Sequence, residues 1–170
     1  SYGLRFADKS FLKDKKFMLE AVKLCSVGGA LQHAHKSLTK DKEIVLAAVK
    51  KRGYALQYAH KSLTKDREIV IEAVKEEGHA LRDADKSFKK DKDIVLLAIK
   101  QDGSTIRYVD KSFKKDKKFV LKALKSPFPH PRVTLQSIDH SLKDDPDILS
   151  IVNKKWSYQN YLKNLKKNNS

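Results

Sequence analysis

Cysteine occurs once, at Cys25, so the chain has no internal disulfide framework and no CxxC metal or redox motif, which fits a reducing compartment. Long apolar runs are missing as well. The longest, such as Ile44 to Val49 and Ile94 to Ile99, span six residues, against about 20 for a bilayer crossing. No Asn stands before Asn153, so the Asn ladder of a leucine-rich repeat is absent, as is the Leu-x-x-Leu-x-Leu pattern. Arginine is scarce: of 37 basic residues 31 are Lys and 6 are Arg. Lysine is a hydrated point charge suited to solubility and loose phosphate attraction, whereas arginine supplies the fork for bidentate recognition. P-loop, HExxH and dinucleotide motifs are absent, so no enzyme activity, metal or cofactor is expected. The chain opens at Ser1-Tyr2-Gly3-Leu4 without an initiator Met or signal-peptide pattern, and is expected to be a fragment or processed chain. Its expected address is the cytoplasm, or another cell's cytosol after export.

What the chain has in abundance is one motif. Lys-Ser-(Leu/Phe)-x-Lys-Asp reads at 36–41, 61–66, 86–91 and 111–116, each copy 25 residues after the last. The ladder extends to Lys9, Ser10 and Asp14 with two extra residues, and to Ser141, Leu142, Lys143 and Asp145 with four. Six units follow, at about residues 1–29, 30–54, 55–79, 80–104, 105–129 and 130–152. A fixed period of this length marks an array in which each unit buries its apolar face only by stacking on its neighbours.

Within the copy at 53–78, Leu56, Ala59 and Leu63 stand at i, i+3 and i+7, which predicts a first helix over Tyr54 to Leu63, with Gly53 as the stop of the preceding helix. Asp66 is the expected N-cap of a second, more buried helix carrying Ile69, Val70, Ala73 and Val74, closed by Gly78. Asp41 and Asp91 head the same pattern in their copies. Three prolines, Pro127, Pro129 and Pro131, replace the glycine stop before the last unit, and Pro146 stands at the first helical position after Asp145. Trp156, Tyr158, Tyr161, Leu162 and Leu165 predict a capping helix within 153–170, ahead of a frayed tail from Lys166. The fold class expected is all-α: a right-handed α-solenoid of six two-helix repeats over residues 1–152 with a C-terminal capping helix, and a monomer.

The strings Ala55-Leu56-Gln57-Tyr58-Ala59 and Asp66-Arg67-Glu68-Ile69-Val70-Ile71-Glu72-Ala73-Val74-Lys75, with the equivalent Asp41 to Lys50, carry a resemblance. Over roughly residues 1 to 125 the chain resembles the bacterial and protist repeat family catalogued as domain of unknown function 4116. The resemblance implies tandem helical repeats and brings no catalytic residues. Where that family typically has acidic residues, this chain has His60-Lys61-Ser62-Leu63-Thr64-Lys65.

Five near-identical surface turns do not make one preorganised catalytic constellation, so Ser62 is read as a turn residue, Asp66 as a cap and Lys61 as a charge near a helix C-terminus. His33, His35 and His60 are read as polar helix positions and not as a metal set, and Cys25 as a small packing residue. Two surfaces remain. Leu31, Leu56, Leu81 and Ile106 stay apolar from copy to copy while their neighbours change, so Arg5, Phe6, Gln32, His33, Gln57, Tyr58, Arg82, Arg107 and Tyr108 form the candidate face for a protein or peptide partner. The alternative is nucleic acid or another polyanion bound by the turn lysines Lys36, Lys40, Lys61, Lys65, Lys86, Lys90, Lys111 and Lys115. The net charge of +16 is unevenly spread, from −1 in 55–79 to +6 in 105–129, which ranks the scaffold above the polyanion binder.

Overall fold

The structure, a computed structural model, describes residues 3–24 and 29–154. Two compact units divide it, Ser1–Ala98 and Ile99–Ser170. All regular structure among the described residues is helical, and none of these helices is long and apolar enough to cross a membrane. Cys25, the expected capping helix and the tail lie outside the described residues.

In the first unit the apolar spacing of each copy's second half dictates a ten-residue α-helix: α1 (Lys15–Leu24), then α3 (Lys42–Lys51) and α4 (Arg67–Glu76) after the single turn α2 (Ala30–His33). α3 packs between α1 and α4. Ile44, Val45, Ala48 and Val49 are buried on α3, and Ile69, Val70, Ala73 and Val74 on α4, matching the expected core. Burying one such Ile or Val contributes about 1.5–3 kcal/mol. α5 (Lys92–Gln101), in which the division falls, repeats the pattern with Ile94, Val95, Ala98 and Ile99.

The first half of each copy departs from expectation. In place of one α-helix over Tyr54 to Leu63 there is a 3₁₀ stretch, Gly53–Tyr58, an extended residue, Ala59 (φ −69°, ψ 148°), and a second 3₁₀ turn, Leu63–Lys65. Leu56 and Leu63 keep an apolar i, i+7 relation, but a 3₁₀ segment also places like residues three apart, so this short pattern cannot separate the two helix types. The break has a tertiary cause. Ala59 turns the chain so that the His60 N–H donates to the Thr39 carbonyl of the preceding copy, at 2.9 Å, instead of continuing a helix. Lys61 accordingly sits in a turn and not at an α-helix end.

Gly53 likewise does a different job from a helix stop. Arg52 closes α3 in an extended conformation, and Gly53 is buried at the start of the 3₁₀ stretch. A Cβ there would collide with the Ala73 carbonyl and come within 2.7 Å of Glu77 Cβ, so glycine is required by the close approach of α4's C-terminal end.

In the second unit, Gly103 opens the 3₁₀ stretch Gly103–Tyr108, followed by α6 (Lys111–Lys115) and α7 (Lys117–Leu124). A Cβ on Gly103 would lie 2.6 Å from Ser126 Oγ, which instead donates to the Ala123 carbonyl at 2.8 Å. The proline-rich stretch interrupts helix as expected, and α8 (Pro131–Ser137) begins with Pro131 in its first turn, two residues before Val133. The last helix among the described residues, α9 (residues 146–154), begins at Pro146 behind the Asp145 cap.

Candidate functional site

The recurring motif resolves into two caps and a clasp. Asp41 Oδ1 accepts from the Glu43 and Ile44 N–H groups at 3.0 and 3.2 Å, Asp66 from Glu68 and Ile69 at 3.0 and 3.2 Å, and Asp116 from Lys118 and Phe119 at 2.9 and 3.2 Å. These satisfy N–H groups that a helix start leaves without intrahelical partners.

The second cap lies six residues earlier. Asp85 accepts from the Ser87 N–H at 3.0 Å and its hydroxyl at 2.9 Å, and Asp110 does the same with Ser112. In two adjoining copies histidine does this work: His35 Nδ1 accepts the Ser37 N–H at 3.3 Å and His60 Nδ1 the Ser62 N–H at 3.2 Å, with each hydroxyl 2.9 Å from the ring nitrogen. An imidazole nitrogen here reproduces a carboxylate oxygen. Serine is therefore a turn residue whose N–H is held, as its recurrence in the motif suggested.

The clasp escaped sequence reasoning. Lys15 Nζ reaches Asp41 at 2.9 Å and Glu43 at 2.8 Å, Lys42 reaches Asp66 at 2.9 Å and Glu68 at 2.8 Å, and Arg67 pairs with Asp91. In the second unit Lys117 holds Asp145 at 2.8 Å and Asp147 at 2.7 Å. Thus the residue after one cap aspartate grips the cap of the following copy. The signal was present, since Lys15, Lys42, Arg67, Lys92 and Lys117 all directly follow the cap aspartate. The Lys42 ammonium holds the Asp66 carboxyl below its ordinary value, and Arg67 does so for Asp91. Burial pushes Asp41 up, but Lys15 and the Ile44 and Glu43 N–H groups outweigh it, and the net shift is downward.

Backbone rungs align the turns in register. His35 N–H donates to Leu12 O at 2.9 Å, His60 to Thr39 O at 2.9 Å and Asp85 to Thr64 O at 3.0 Å, while in the second unit Asp139 donates to Lys114 O at 3.1 Å. The turn lysines Lys36, Lys40, Lys61, Lys65, Lys86 and Lys90, like Lys111 and Lys115 in the second unit, are exposed. Lys36, Lys40, Lys61, Lys65, Lys86 and Lys111 make no ion pair among the described residues, and Lys115 stands 3.8 Å from Asp139.

The varied face is also brought together in the first unit. The turns Gly3–Phe6, Ala30–His33, Gly53–Tyr58 and Gly78–Arg82 pack each on the next. Arg5, Phe6, Gln32, Gln57 and Arg82 are exposed there, whereas His33 and Tyr58 are half-buried. Arg82 is held by Asp83 at 3.1 Å, and its carbonyl accepts from Lys89 Nζ at 2.7 Å. In the second unit Arg107 is exposed, lies 5.8 Å from the centre of the half-buried Tyr108 ring and accepts at its carbonyl from Lys114 Nζ at 2.8 Å. Burial pushes Lys114 below its ordinary value.

The model of the family described as Domain of unknown function (DUF4116) matches three times, over residues 24–64, 66–114 and 91–130. No curated protein and no solved structure matches the chain.

Proposed function

Because the chain belongs to the repeat family described as Domain of unknown function (DUF4116), we propose that it is a non-enzymatic scaffold, a right-handed α-solenoid of six repeats that binds a protein partner through the first segment of each repeat. The observation that carries this reading is the contrast between framework and face. Caps, clasps, rungs and core positions recur from copy to copy, while on turns that pack side by side the exposed position changes from Arg5 to Gln32 and Gln57 and back to Arg82, and the half-buried position beside it from His33 to Tyr58 to Asp83. A repeated framework that carries a variable contiguous surface suits recognition of one extended partner better than chemistry at one centre.

Affinity capture with the wild type and with a Gln32→Ala, Gln57→Ala, Arg82→Ala variant tests the face. A partner identified by mass spectrometry with the wild type is expected to be lost from the variant, whose circular dichroism should be unchanged because all three side chains are exposed. A partner retained in full by the folded variant overturns the assignment.

A further inference from the structure

We propose that the two adjoining turns His35–Lys40 and His60–Lys65 form a binding surface for the phosphodiester backbone of single-stranded nucleic acid. The inference rests on the turn lysines and cap histidines, and shares only the rings of His33 and Tyr58 with the scaffold face, whose test variant leaves both rings in place.

The structure sorts the basic residues into two classes. Lys15, Lys42 and Arg67 are neutralised by the cap aspartates of the following copy, whereas Lys36, Lys40, Lys61 and Lys65 make no ion pair among the described residues, although the Lys65 charge helps to hold the Asp85 carboxyl of the next copy below its ordinary value. The acids nearest to these turns in sequence, Asp41 and Asp66, are occupied on both oxygens, one by helix N–H groups and the other by lysine. The unfavourable charge of copy 55–79 is also located away from the turn. Glu68 belongs to the clasp, Glu72 pairs with Lys75 at 2.8 Å, and Glu77 accepts the Tyr54 N–H at 3.2 Å. Glu76 is the last residue of α4, about 15 Å along the helix from its start.

The cap position decides why these two turns stand apart. Elsewhere it is a carboxylate, at Asp8, Asp85, Asp110 and Asp139. Here His35 and His60 accept the serine N–H at Nδ1, so the neutral ring carries its proton on Nε2, and both side chains are exposed. Each turn thus offers two ammonium groups and an imidazole N–H, and Asp85 of the next copy, whose N–H meets Thr64 O, is the carboxylate that flanks the second turn on its outer side. The rung from His60 N–H to Thr39 O locks the two turns side by side, which sets one donor cluster next to the other. Two residues before each cap stand His33 and Tyr58, half-exposed rings of the kind on which bases stack. Aromatic faces beside the donors favour nucleic acid over an acidic peptide, and lysine without arginine favours backbone attraction over base reading, so binding is expected to tolerate any sequence.

Fluorescence anisotropy with labelled 20-nucleotide oligo-dT and oligo-rU across a salt series tests this. Lys36→Gln, Lys40→Gln, Lys61→Gln and Lys65→Gln together are expected to weaken binding at least tenfold and to flatten the log–log salt slope by about 3, at about 0.7 for each phosphate no longer neutralised. The charge-matched control, Lys50→Gln, Lys51→Gln, Lys122→Gln and Lys125→Gln, is expected to stay within twofold of wild type. The four turn lysines changed to Arg should retain binding, which separates removal of charge from disruption of the fold. No binding at 20 mM salt, an equal loss in the control, or tighter binding of duplex, poly-glutamate or anionic phosphatidylserine vesicles than of single strands overturns the proposal. Loss of captured protein partner with the three-alanine face variant, at unchanged oligonucleotide affinity, leaves it standing.

Discussion

Asp66 does two things with one carboxylate, and they can be separated. Its Oδ1 caps α4 and its Oδ2 receives Lys42 from the preceding copy. Asp66→Asn keeps an acceptor for the cap and removes the charge, whereas Asp66→Ala removes both. The alanine variant is expected to lose about 1 kcal/mol from the cap alone, measured by urea unfolding, with the asparagine variant falling between it and wild type. Acid should act through the same group. Lys42 holds Asp66 below its ordinary 3.8, so the stabilisation is fully present above about pH 4 and is lost as the pH falls through the depressed native value. Lys42→Ala should therefore flatten the acid limb of stability against pH, and an unaltered limb would show that the ion pair contributes nothing. At the other cap, His60→Asp is expected to preserve stability and His60→Ala to lower it, because only aspartate replaces the acceptor for the Ser62 N–H.

At the scale of the element, the second half of each copy was legible because its information is local. A cap, an acidic first turn in α3 and α4, and apolar residues at i, i+1, i+4 and i+5 all act within ten residues. The first half was not, because what breaks it at Ala59 is a hydrogen bond to a carbonyl 21 residues earlier, from His60 to Thr39. Gly53 teaches the same lesson: its position suggested a stop, but its lack of a Cβ serves the approach of α4. Gly53→Ala is consequently expected to cost about 1–3 kcal/mol by overpacking, since the obstructing Ala73 carbonyl is backbone and cannot rotate away. An ordinary gain in helix propensity, read as a raised urea midpoint, would contradict that account.

For the whole molecule, stability is expected to depend on neighbours. In the first unit α3 packs on both α1 and α4, and Ile69 is fully buried. Ile69→Ala should cost about 2–5 kcal/mol, and hydrogen exchange should quicken in α3 as well as α4, because neither helix buries its apolar side alone. Exchange that quickens in α4 only would mean the copies are independent. Charge also has to be read at this scale. The total of +16 says little until the clasps are subtracted, after which the exposed turn lysines of the first unit stand out.

The amino-acid order by itself determined the 25-residue period, the aspartate caps, the buried face of each α-helix and the proline interruption, all of which depend on residues close along the chain. The tertiary structure alone decided which lysines are neutralised, why Gly53 is glycine and why the first segment is broken. Those outcomes depend on groups about one repeat apart that meet only once the copies have stacked. Identical residues on either side of a cap, Lys40 before Asp41 and Lys42 after it, thereby end with different fates: both are exposed, but among the described residues only Lys42 is clasped to a carboxylate of the next copy.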